Sequence, residues 1–467
     1  MVRLNRSMME RYEIADRRPG TLQAVLFGLD TVILCAAARL LDRANEFGGD
    51  LGAVCIAGGE EASALREQDG MFTLLIRGEK EDGSPLREER VVQSILSVAT
   101  PEEGAHYASL PEVDLYFVNA MLSPEDYAEE IAVLTHFLRL RWEAGLSEPH
   151  VFLMDALPNP VSIPQLRTCI GKFADLFADA NFDAWLEGVS TQSLFVDSLF
   201  GELSDSDFAK AQREMNYQDR FLLWAEPQLR CVVESDLPEK LVPACETDDF
   251  LLSRDRKAWV FDSLMFLCSA VGFLSGMDTF AQVLRDERLR EFIGHAFFDE
   301  LMPSLPWSRE EITPYVISSF ARLENSMNDV LLLHPNLMAN FGRTLLPLIR
   351  RYAHQEFEAP PRLSLALSAQ IMIFSGARKN DGGEFEVLRG DRKFILHDAP
   401  HILEAFSLLS HDMPAETLAY AVLADRSLWG EDLREIDGLE QRVSLDISSI
   451  QRVGFRETLR QREATEL

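Results

Sequence analysis

The sequence predicts an α/β plus all-α protein, in which a doubly wound, mostly parallel N-terminal sheet is followed by a C-terminal all-helical domain. Three observations predict it. Residues 22–28, 31–47 and 53–57 read as strand, helix and strand at the length of a βαβ unit. Near residue 248, strand-length apolar runs give way to long stretches with apolar residues every three and four positions. A chain of 467 residues, 47% of them hydrophobic, also holds more apolar material than one core normally encloses.

Taken in order, residues 1–20 are polar and carry Arg3, Arg6, Arg11, Arg17 and Arg18, so an irregular or loosely docked arm is expected. Run 22–28 is a short apolar strand closed by Gly28, and 31–47 is the helix that follows it. Run 53–57 is a second buried strand, stopped by Gly58 and Gly59. Segments 71–77 and 89–98 read as two strands joined by a turn at 81–85. Segment 113–118 is another buried strand, 124–141 an amphipathic helix that Ser123 can cap, 150–154 a strand and 162–180 a helix. These elements give a Rossmann-like domain over 21–247, an architecture that usually binds nucleotides at its carboxyl strand ends. The helical domain covers 248–467, with helices at 256–275, 278–303, 309–327, 336–354, 361–375, 398–409 and 415–426. Its polar, glycine-rich stretch 376–392 reads as a loop or hairpin. Two such domains place an active site in the cleft between them.

Composition excludes several classes of function. A net charge of −31 argues against nucleic acid, because phosphate contacts need a basic surface. No membrane partner is expected, since the longest apolar candidate, 260–274, is interrupted by Asp262 and Ser263. No apolar segment follows the first basic residues, so no signal peptide is expected. The six cysteines are scattered without a CxxC pair and read as reduced, buried thiols of a cytoplasmic protein. There is no HExxH, GxSxG or Walker loop and no metal site is expected; His295, His334 and His354 read as structural. The composition leaves the oligomeric state open.

Several segments carry a resemblance. Residues 67–78 begin Glu67-Gln68-Asp69-Gly70 and run into an apolar strand. Tyr217-Gln218-Asp219 precedes Trp224-Ala225-Glu226-Pro227 and Val232-Val233-Glu234. Ser193-Leu194-Phe195-Val196-Asp197 and Leu428-Trp429-Gly430-Glu431-Asp432-Leu433 follow the same order. From about residue 22 to 456 the chain resembles the polyol and hexuronate long-chain dehydrogenases, the mannitol dehydrogenase and tagaturonate reductase family. The resemblance implies NAD or NADP as cofactor and a small sugar acid or polyol as substrate.

It also assigns candidate residues. The family's cofactor turn is a glycine-rich loop after the first strand, and here the matching residues are Gly28, Asp30 and Leu34. Gly28 keeps the first glycine, Asp30 replaces the second, and Leu34 replaces an arginine. From the residues alone Gly28 reads first as a plain strand-ending turn and second as a pyrophosphate contact, and Gly58-Gly59 first as a turn and second as a ribose contact. Asn119 matches the first residue of a family turn whose remainder is replaced by Ala120, Met121 and Leu122. On the family's catalytic helix, Lys257 stands at the general-base lysine, Asp262 at an asparagine and Met265 at a histidine. Asp197 is kept beside Ser198, where the family has arginine, and Ala156 stands where it has asparagine. A carboxylate at Asp262 favours the charged ammonium over the free amine a base requires, and it repels a developing alkoxide. Met265 donates no hydrogen bond, and losing one such donor costs roughly 2.7–4 kcal/mol of barrier. Two expectations follow from the catalytic candidates Lys257, Asp197 and Asp262. The scaffold has weak or absent family activity, or it is an active NAD(P)-dependent oxidoreductase with a rearranged site around Lys257.

Overall fold

The computed structural model describes all residues except 1, 80–83, 120–127, 156–161, 236, 247, 327–336 and 467. Ala120, Met121, Leu122, Ser123, Ala156, His334 and the leucine run at 331–333 lie outside the described residues. The chain forms two compact units, Met1–Arg254 and Asp255–Leu467, whereas the composition change was placed at 247/248.

The N-terminal unit is built on a seven-stranded sheet. Its strands lie in the order Arg230–Val233, Ser190–Asp197, His150–Asp155, Leu115–Asn119, Leu22–Phe27, Gly52–Ile56 and Ile95–Ala99. All neighbours are parallel except the edge strand Arg230–Val233, which runs antiparallel to Ser190–Asp197. Near-continuous apolar runs produce this arrangement, because strands covered on both faces have no polar side to show. Alternate residues of Leu22–Phe27 enter different cores. Ala24 and Leu26 pack with Ile33, Leu40 and Leu41 of the following helix, while Val25 and Phe27 pack with Phe137, Leu138 and Leu166.

A second sheet holds Phe200–Glu202, Leu223–Ala225, Phe72–Glu79 and Pro85–Val92. The expected strand 89–98 is divided between the two sheets. Pro85–Val92 pairs with Phe72–Glu79, and Ile95–Ala99 joins the main sheet. The switch occurs at Gln93 and Ser94. There Gln93 Nε2 donates to Ala15 O (3.0 Å) and Ser94 Oγ to Ala38 O (2.7 Å). The described residues 2–20 are docked rather than loose. Val2–Arg3 pairs with Tyr217–Gln218, and Leu4, Met8 and Met9 are buried. The expected helix 162–180 ends earlier, as Ile163–Ala174, and Asp179 caps a separate helix Ala180–Leu186.

The C-terminal unit is helix-rich but not all-helical. Ser263–Leu274, Pro361–Phe374 and Leu439–Val453 form its centre, the first two buried almost throughout. Arg378–Lys379, Phe385–Arg389 and Arg392–Ile395 form a three-stranded antiparallel sheet, which corrects the all-helical expectation. Local chemistry explains it. Asn380 Oδ1 accepts from the N–H groups of Gly382 (2.9 Å) and Glu384 (3.0 Å), Gly390 sits at φ +62°, and Phe385 and Val387 alternate into the core. The expected helix 278–303 is interrupted at Asp286, and the one expected from 336 begins at Leu346. Helix Phe250–Leu274 has 25 residues, longer than the interrupted run suggested, and is apolar enough by length and composition to cross a membrane. However, 83% of its most apolar window is buried within the protein, as in a core helix.

Candidate functional site

A cavity of about 920 Å³ opens at the carboxyl ends of Leu22–Phe27 and Gly52–Ile56. Gly28 ends the first of these strands at φ +94°, a conformation that disfavours any side chain. Its N–H donates to Ile56 O (3.0 Å), which fixes the turn against the neighbouring strand. Two residues on, Asp30 caps the helix that starts at Thr31. Its backbone carbonyl accepts from Leu34 N–H (3.1 Å). Its carboxylate accepts from the N–H groups of Val32 (2.8 Å) and Ile33 (3.1 Å), and from the Asn119 side chain. Burial moves the Asp30 carboxyl above the usual carboxylate range, and these donors oppose the shift. Asp30 as a residue keeps exposed surface, so solvent screens part of the burial effect.

Cofactor candidates Gly28, Asp30 and Asn119 thus meet at one point, and Asp30 and Asn119 are bonded to each other. The remaining lining is acidic. Glu61, Glu129, Glu130, Glu202 and Asp205 join Asp30, and among the described lining residues the single cation is Arg220, which pairs with Glu60 (3.3 Å). Gly58 lines this cavity beside Gly59, which holds φ +86° at the start of helix Gly59–Glu67.

The motif residues at 67–73 and 217–219 form a structural lock. Asp219 accepts from Gln68 Nε2 (2.8 Å), Phe221 N–H (2.8 Å) and Thr73 N–H (2.6 Å). Gln68 also accepts from Arg220 N–H (2.8 Å). Gly70 has φ +77°, and an added Cβ would stand 2.4 Å from Ile95 O. These residues tie the second sheet to the edge of the first. Glu226 is likewise engaged in the fold, its Oε1 accepting from Leu199 N–H (2.7 Å).

Asp197 is buried at the carboxyl end of Ser190–Asp197, just before the turn into Phe200–Glu202, so it is not a helix cap. Lys257 and Asp262 belong to the other unit. There a π-helical turn spans Lys257–Asp262. In an α-helix, residues five apart diverge around the axis. The wider π turn, with its i to i+5 hydrogen bonds, stacks them. Lys257 Nζ accordingly donates to Asp262 Oδ1 at 2.9 Å, with both side chains buried. Met265 is buried one turn further on. The two catalytic candidates on this helix are therefore each other's counter-ion.

Some residues of the cavity escaped the sequence reading. Glu202 and Arg220 enter from the second sheet, and no spacing rule links them to residue 28. The capping role of Asp30 did have a signal, since aspartate immediately before an apolar-periodic helix is a standard start.

No family model matches the chain. It is 25% identical over 433 residues to an altronate oxidoreductase of Pectobacterium atrosepticum, covering 84% of this chain and 86% of that protein. The corresponding values for an altronate oxidoreductase of Yersinia enterocolitica are 26% over 429 residues, 84% and 86%. Among solved structures, Pseudomonas fluorescens mannitol 2-dehydrogenase, a ternary complex with NAD and D-mannitol, has the same fold. It aligns at a TM-score of 0.76 and 17% identity over 98% of this chain and 99% of that one. A D-sorbitol dehydrogenase in substrate-free form aligns at 0.70 and 15%, over 98% and 100%. The chain is a homologue of the altronate oxidoreductases at moderate identity over most of its length, and it has the fold of the mannitol and sorbitol dehydrogenases.

Proposed function

We propose that this chain keeps the scaffold of the hexuronate and polyol dehydrogenases without their nicotinamide-dependent activity. The strand order, with Leu22–Phe27 central and crossovers to both sides, is that of dinucleotide-binding sheets. In such sheets the pyrophosphate is held by the free N–H groups at the first helix, where the helix dipole favours an anion. The single observation that carries the proposal is that the Asp30 carboxylate already accepts from those N–H groups, at Val32 and Ile33. A pyrophosphate would have to displace a tethered anion and then share a cavity with five further carboxylates. The residues present do not fit the cofactor, and no hydride-transfer step is derived through it.

The Lys257–Asp262 pair supports the same reading. A buried lysine held at 2.9 Å by a carboxylate of its own helix is engaged as an ion-pair partner within the fold. The competing reading is an NAD(P)-dependent oxidoreductase acting on a sugar acid or polyol through Lys257. It draws on the homology and on the retention of that lysine.

Titration of the full chain with NADH and NADPH, followed by nicotinamide fluorescence, separates the two readings. The expected result is no saturable binding up to millimolar cofactor. A micromolar dissociation constant for either would overturn the proposal. In that event, loss of tagaturonate reduction in Lys257→Ala would establish the competing reading.

A further inference from the structure

We infer that a second cavity of the N-terminal unit, of about 620 Å³, binds a small oxyanion metabolite through Arg39 and Arg43. Four guanidinium groups line it, those of Arg39, Arg43, Arg90 and Arg230, against the carboxylates of Glu46 and Glu246. In a chain of net charge −31, four arginines gathered at one cavity need a physical reason.

The four are not equivalent. Arg90 is ion-paired, its Nη2 lying 2.7 Å from both Asp42 Oδ2 and Glu46 Oε1. Arg230 lies 2.9 Å from Glu246 Oε2 and 3.5 Å from Asp248 Oδ2. Arg39 and Arg43 are held by neutral groups instead. Arg39 Nη2 donates to the carbonyls of Glu226 (2.8 Å) and Pro227 (2.9 Å), and Arg43 Nη1 donates to that of Leu229. Among the described residues neither forms an ion pair. Arg39 is only 5% exposed, and its Nη1 is buried with no hydrogen-bond partner. An unpaired buried donor on a charged group is costly, because its lost hydration is not replaced. Burial and the neighbouring Arg90 pull its pKa down to about 10, although nearby Glu226 opposes them.

The carbonyl contacts orient the two guanidinium groups without bonding either of them to a carboxylate. An oxyanion at the cavity would place a negative charge beside both guanidinium groups. The planar fork of arginine suits the paired oxygens of phosphate or carboxylate. The volume admits a metabolite-sized anion, not a polymer. This site shares no lining residue with the acidic cavity at the strand ends, and it is independent of whether that cavity takes a nicotinamide cofactor.

The test is the thermal unfolding of the full chain with inorganic phosphate, and separately with citrate, each against sodium chloride at matched ionic strength. The expected result is a saturable rise in Tm beyond that in chloride. Phosphate acting alone identifies a phosphate-bearing ligand, and citrate acting alone a carboxylate-bearing one. Arg43→Gln is expected to raise the half-saturating concentration roughly tenfold, the effect of one charge-assisted contact. Equal shifts in chloride, or an undiminished response in Arg43→Gln, would overturn the inference. If that variant does not fold, ³¹P line broadening of phosphate by the native chain replaces it for the phosphate arm, and citrate-detected calorimetry for the other. Absence of binding in both would again overturn the inference.

Discussion

The segments that align with the family's functional motifs and the arginine-lined cavity treat charge in opposite ways. At Asp30 and at Lys257 each charge is satisfied by its own helix, the first by two backbone amides and the second by Asp262. At Arg39 and Arg43 the guanidinium groups are steered by carbonyls and keep their charge. The difference teaches that the presence of a charged residue at a motif position says little about ligands. What matters is whether a local partner has already answered the charge. By that criterion we propose that the dehydrogenase positions are closed and that a position with no motif is open.

The largest effect tests closure at Lys257. Asp262→Ala strands a buried ammonium and is expected to cost about 3–5 kcal/mol in urea-monitored stability. The double variant Lys257→Met with Asp262→Ala should recover much of that loss, because no charge is left stranded. A loss of under about 1 kcal/mol in Asp262→Ala would show that the pair is not closed. A smaller effect tests closure at Asp30. Asp30→Ala removes a helix cap and is expected to cost about 0.5–2 kcal/mol, whereas an increase in stability would mean that repulsion within the acidic cavity outweighs the cap.

A pH-dependent effect concerns buried carboxyls with incomplete compensation. Burial pushes Glu300 up to about 7 and Asp446 up to about 7, despite the backbone N–H groups of Arg362 and Leu363 facing Glu300 and the guanidinium of Arg462 facing Asp446. Their folded values exceed the unfolded ones, so the folded state binds these protons more tightly. Their contribution to stability is greatest at acidic pH and is lost as pH rises from about 4 to about 7. The Tm is therefore expected to be higher near pH 5.5 than near pH 8. A Tm that rises across this interval would contradict the assignment.

Much of the fold was legible in the sequence because apolar runs report burial directly. The strands at 22–28, 53–57, 113–118 and 150–154 follow from continuous hydrophobicity alone. The transfer between sheets at Gln93 and Ser94 was not legible, because their partners Ala15 and Ala38 are remote in sequence. The small sheet at 378–395 looked polar because only Phe385 and Val387 turn inward firmly. The candidate site was legible by position but not by state. The sequence placed Lys257 and Asp262 on one helix, but only the π turn brings them to a 2.9 Å contact. Arg39, Asp42 and Arg43 resembled ordinary polar interruptions of a helix, since the groups facing them come from residues 90 and 226–229.

The Asp30 carboxylate takes up the N–H groups of Val32 and Ile33, where a dinucleotide site would hold an anion. NADH titration of the native chain beside Asp30→Gly tests this most directly. The expected result is no saturable nicotinamide fluorescence change in the first chain and a measurable gain in the second. Micromolar NADH binding in the chain that retains Asp30 would contradict the account.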